Sequence, residues 1–218
     1  YFAEIYQKIN DYTQERNAKD YLYLIVNSDY GFTLQPAVIL ASIAYKDDES
    51  TVDKKIKIVS KYLTKILSWR VWNHWMISQS ALETPMYEPC KAIRGKSVEE
   101  LKTILASEPI ELPELNNAPT LNQQNRQKIK VLLALITEIV ASESNESDYI
   151  LNKPDIEVEH IWANHFELHI DEFDNENDFA TTRNGIGDLL VLPKSFNASY
   201  GDEPYNVKVI QYFSQNIL

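Results

Sequence analysis

The spacing of apolar residues over the first two thirds of the chain constrains its fold most, because it steps by three and four residues, as one face of a helix requires. In KKIKIVSKYLTKILSWRVWNHW, residues 54 to 75, Ile56, Val59, Leu63 and Ile66 mark one buried face. Lys54, Lys57, Lys61 and Lys65 follow the same rhythm on another face. Two readings of that stripe stand: a solvated helix surface, or a row of phosphate contacts. Trp69, Trp72 and Trp75 recur at three-residue steps, a pattern that belongs to a helix core or a docking face more than to base stacking. Further helices are expected in FAEIYQKINDY, in PAVILASIAY with its first-turn proline, in SVEELKTILA with Ser97 and Glu100 as a capping box, and in NRQKIKVLLALITEIVA. SEPIELPELNNAPTLNQQ breaks the periodicity and reads as a loop.

After the acidic SESNESDY the texture changes. Apolar residues now fall in short alternating or continuous runs, so DIEVEHIW and GDLLVL read as strands. Pro193 opens a short helix in PKSFNASY, and NVKVIQYFSQNIL closes the chain as an amphipathic helix. The expected class is therefore mainly α: a helical domain over residues 1–149, then a small module over 150–218 ordered strand, long loop, strand, helix.

A chain of 218 residues with 44% hydrophobic content can bury a core. It begins at Tyr1 rather than Met, so it is expected to be a piece of a longer polypeptide. The single cysteine, Cys90, excludes a disulfide framework and a paired-cysteine zinc site and suits a reducing cytoplasm. No stretch approaches the roughly 20 apolar residues of a membrane span, so no membrane partner is expected. The Asn-x-Ser triplets at Asn145 and Asn197 then read as chance matches. Net charge is −11, and residues 150 to 218 alone hold four Lys/Arg against twelve Asp/Glu. Such a balance argues against indiscriminate nucleic-acid affinity.

The chemistry-bearing residues cluster in that last module. Glu159 and His160 stand side by side in EHIW, followed by RNGIGDLLVL from Arg183, then Asn197 and Lys208. In order and spacing these pieces resemble the HNH, or His-Me finger, nuclease superfamily, and most closely the C-terminal domain of GmrSD-type modification-dependent restriction endonucleases. The resemblance covers about the last sixty residues, and the helical part is similar to the region connecting that family's nucleotide-hydrolysing half to its nuclease end. It implies a ββα-metal module in which His160 is the general base, Glu159 and Asn197 are ligands of Mg²⁺ (or Mn²⁺), Lys208 steadies the phosphate or the helix, and Arg183 is a further phosphate ligand. Hydrolysis of a phosphodiester needs those tasks: a base with pKa near about 6.5, and positive charge on the phosphate and the leaving oxygen.

Two positions depart from the family pattern. Its Pro after Glu-His-Ile-x is Ala163, and its Asn in Gly-Asn-Leu is Asp188. The resemblance gives that second position the task of orienting the base. A carboxylate there could accept a hydrogen bond from the imidazole, raising its pKa.

Other patterns carry less. His165 and His169 lie four apart without a third ligand and read as solvent-facing loop histidines. DEFDNEND imitates a calcium loop but has Phe179 where the turn requires glycine. Gly185 and Gly187 precede a strand rather than a helix, as a tight turn does. The expectation is a metal-dependent DNA endonuclease domain of a phage-defence restriction enzyme, with DNA and an upstream nucleotide-hydrolysing domain of the same polypeptide as partners. The alternative is a degenerate fold of that type serving as an interaction module.

Overall fold

The computed structural model describes residues 1–107, 118–144, 155–200 and 203–212. Its first helices are α1 (Phe2–Glu15), α2 (Ala18–Asp29), α3 (Gln35–Ser42), α4 (Glu49–Trp72), α5 (Gln79–Ile93) and α6 (Val98–Ser107). Asp48 starts α4 by accepting the Thr51 N–H at 2.7 Å. The face carrying Ile56, Val59, Leu63 and Leu67 is buried, and α2, α3 and α6 pack on this helix. Three of these helices are also held in register by polar side chains. Thr64 of α4 donates to Asn27 Oδ1 of α2 at 2.7 Å, and Asn27 Nδ2 donates to Gln35 Oε1 of α3 at 2.7 Å. Because all three are buried, losing one partner would leave the others desolvated.

The capping box forms as expected: Ser97 N–H donates to Glu100 at 2.9 Å, and Glu100 N–H to Ser97 Oγ at 3.3 Å. Helices α2 and α5 lie where no periodic pattern stood out. In α5 the interior Pro85 and Pro89 argue locally against a helix, yet its Leu82, Met86 and Ile93 are buried, and packing decides. Most of the expected loop, residues 108–117, lies outside the described residues, as does most of SESNESDY and the chain end 213–218.

The chain divides into two compact units, Tyr1–Pro113 and Glu114–Leu218. The second contains α7 (Arg126–Glu143), β1 (Ile156–His160), α8 (Glu176–Arg183), β2 (Leu189–Pro193), α9 (Lys194–Tyr200) and α10 (Tyr205–Tyr212). A boundary at 149/150 would part α7 from the strands, whereas α7 packs on both of them. Strands β1 and β2 pair antiparallel, with Glu159 opposite Leu190 and Glu157 opposite Leu192. Alternation along the strand therefore puts Glu157, Glu159, Leu190 and Leu192 on one face, and Ile156, Val158 and His160 on the other. Leu190, Leu192 and Tyr212 form a buried cluster that Ile161 joins, so α10 covers the first of these faces.

Helix α8 was not expected, because its sequence, ENDFATTR, is too polar and short to show a period. Its start is set by Asn175, whose Oδ1 accepts the Asn177 and Asp178 N–H groups at 3.0 Å each. At its end Gly185 donates to Thr182 O at 2.9 Å, and a Cβ there would lie 2.9 Å from that oxygen. Glycine is thus required by a close approach of backbone, and a 3₁₀ turn over Ile186–Asp188 leads into β2.

Candidate functional site

His160 ends β1, half-buried, and its Nε2 lies 3.0 Å from Asn184 Oδ1. The orientation of that amide is set by a second bond, from Asn184 Nδ2 to Ala180 O at 2.8 Å in the last turn of α8. With Oδ1 facing the ring, Nε2 must be the protonated nitrogen, and Nδ1 carries the lone pair. Desolvation is the main force that lowers the His160 pKa; the Asn184 bond opposes it, while the charges of Arg183 and Arg126 reinforce it. The ring is neutral at pH 7 and chemically able to take a proton.

Asp188 does not orient that ring. Its buried carboxylate accepts the Trp162 N–H at 3.2 Å and 3.3 Å, while its carbonyl accepts from Ile161 N at 2.8 Å. It ties down the backbone just after His160. Burial pushes its pKa up to about 6, against the pull of the Trp162 N–H and the nearby Arg183. Arg183 works on the same backbone, donating from Nε to Trp162 O at 2.9 Å. Ala163 is buried where the family pattern has proline.

Glu159 faces the other way. Its Oε1 accepts from Lys208 Nζ at 2.7 Å and from Tyr212 OH at 3.0 Å, and Lys208 also donates to His160 O at 3.2 Å. All three side chains are buried. Asn197 of α9 donates its Nδ2 to Glu157 Oε2 at 3.2 Å, on the same strand face as Glu159. Asn197 thus commits its amide nitrogen and Glu159 its Oε1 to protein partners, and both side chains lie on the strand face opposite the imidazole. Among the described residues no group of three or more His, Cys, Asp or Glu side chains could hold a metal ion. This arrangement does not fit a metal held between Glu159 and Asn197 beside His160.

The structure therefore brings Glu159 and Lys208 together, and Arg183 and Asp188 onto one backbone segment, but leaves Asn197 apart from His160. Asn184 was missed by the sequence reading. The one available signal was an amide sitting just before the Gly185 turn, a place where helices commonly end. Of the two loop histidines, His165 is solvent-facing as expected, its side chain 38% exposed and paired with Glu167 at 2.9 Å, whereas His169 is not, stacking on Trp162 at 4.7 Å and on Phe179 at 5.1 Å between ring centroids. In the other unit, Lys54, Lys57, Lys61 and Lys65 are all exposed along α4. Lys57 and Lys61 lie over the rings of Tyr21 and Tyr23, at 5.0 and 5.6 Å. No helix among the described residues is long and apolar enough to cross a membrane.

Comparison with curated proteins finds no match, and comparison with solved structures finds none either. Residues 111–218 match the family described as GmrSD restriction endonucleases, C-terminal domain, and this half of the chain belongs to that family.

Proposed function

We propose that residues 114–218 hydrolyse DNA phosphodiester bonds, with His160 as the base that deprotonates the attacking water. The observation that carries this reading is the fixed imidazole: Asn184 holds Nε2, Nδ1 has no hydrogen-bond partner among the described residues, and desolvation keeps the ring neutral near pH 7. Arg183 and Arg126 supply positive charge within electrostatic reach of the ring, where a phosphate would have to sit. Asp188 and Arg183 hold the Trp162 backbone and so steady the strand end. Glu159 and Lys208 pin β1 to α10, positioning His160 through the chain rather than touching substrate.

A divalent ion would supply Lewis-acid stabilisation of the phosphate and leaving oxygen. Because Glu159 and Asn197 lie on the strand face opposite His160, no step is assigned to it. Incubation of the chain with supercoiled plasmid, in EDTA, Mg²⁺ and Mn²⁺ separately, is expected to give nicking that His160→Ala abolishes. If nicking needs a divalent ion and Glu159→Gln destroys it without loss of fold, Glu159 is a ligand and the positioning role is wrong. A second reading, a non-catalytic module of a restriction complex, is favoured by the commitment of Glu159 to Lys208; it gains if neither metal yields any nicking.

A further inference from the structure

Beside β1 lies a cleft of about 390 Å³ whose other wall is the start of α7, with Gln123, Arg126, Gln127 and Lys130 lining it against residues 155–158 and Lys194. Arg126 and Lys130 are one helical turn apart, about 6 Å along the axis, and so share a face of α7. Neither has an ion pair among the described residues. The cleft also holds two carboxylates, Asp155 and Glu157, the latter 3.9 Å from Lys194, but its three cations, Arg126, Lys130 and Lys194, outnumber them. Ile156 and Val158 of this wall share the strand face of His160, and the Arg126 charge acts on the imidazole. Part of the cleft wall thus shares the strand face of the histidine.

We propose that this cleft takes the sugar-phosphate backbone of the DNA strand being cut, with Arg126 and Lys130 each on a phosphate and Gln123 and Gln127 free to bond sugar or phosphate oxygens. It rests on the reading of His160 as a hydrolytic base, and it places substrate binding on α7 rather than on the lysine stripe of α4. Contacts of this kind position the duplex without reading its sequence.

The test is binding, measured by fluorescence anisotropy of a labelled duplex in EDTA over a series of salt concentrations, with the whole 218-residue chain. For Arg126→Gln/Lys130→Gln, the slope of log K against log salt is expected to fall by about 2, with binding weakened about tenfold at low salt. Lys96→Gln/Lys102→Gln removes two exposed cations of α6 that pair with Glu100 and Glu99, and is expected to leave both unchanged. An unchanged slope in the α7 variant, with an unaltered melting curve, would overturn the cleft, as would a parent chain that binds duplex without salt dependence or not at all. Failure of the hydrolytic reading shows separately, as plasmid nicking that survives His160→Ala.

Discussion

At the scale of single residues, one heterocycle and one carboxylate decide how the site behaves with pH. His160 is held below its ordinary pKa chiefly by desolvation, so the reactive neutral form is already dominant at pH 7. Asp188 is the reverse case. Its folded pKa, about 6, exceeds that of an exposed aspartate, so between roughly pH 4 and 6 the folded state binds more protons than the unfolded state. Stability from this residue is therefore present at low pH and lost as pH rises through that window. Asp188→Asn, whose Oδ1 can still accept the Trp162 N–H, is expected to melt higher than the parent at pH 7.5, by at most about 3 kcal/mol, with the gap closing near pH 4. Thermal melts across that range check it. A variant that is equally stable at both pH values would mean the carboxylate is not desolvated. The sequence marked this position as a departure from the family pattern, but it assigned the aspartate to the imidazole, because side-chain direction in a turn cannot be read from order alone.

At the scale of elements, the second unit depends on two local devices. The first is the buried Glu159–Lys208–Tyr212 cluster that fastens α10 to β1. Removing one member of such a pair leaves an uncompensated buried charge, which costs about 3–5 kcal/mol. Lys208→Met is thus expected to destabilise by that amount. Adding Glu159→Gln is expected to restore most of it, since the amide oxygen can still accept from Tyr212; chemical denaturation of the two variants measures the coupling. The second device is the Gly185 turn, where any Cβ meets the Thr182 carbonyl. Both strands, α9 and α10 were legible from their patterns, as was the capping box of α6. Helix α8 was not, since an eight-residue polar helix carries no period, and α5 was masked by its prolines.

At the scale of the whole molecule, each compact unit has its own buried core, and a small core of that kind unfolds cooperatively. Calorimetry of the chain is expected to resolve two transitions, and Gly185→Ala is expected to lower one of them while leaving the other in place. A single transition that shifts as a whole would show that the units melt as one. The sequence by itself determined a mainly helical chain, two short strands and the family of its second half, because periodicity and motif order are properties of neighbours along the chain. Only the tertiary structure decided which of the motif's polar groups meet. Adjacent residues on a strand point to opposite faces, so Glu159 went to the lysine of α10 and His160 to the amide that ends α8, a separation that no spacing in the sequence records.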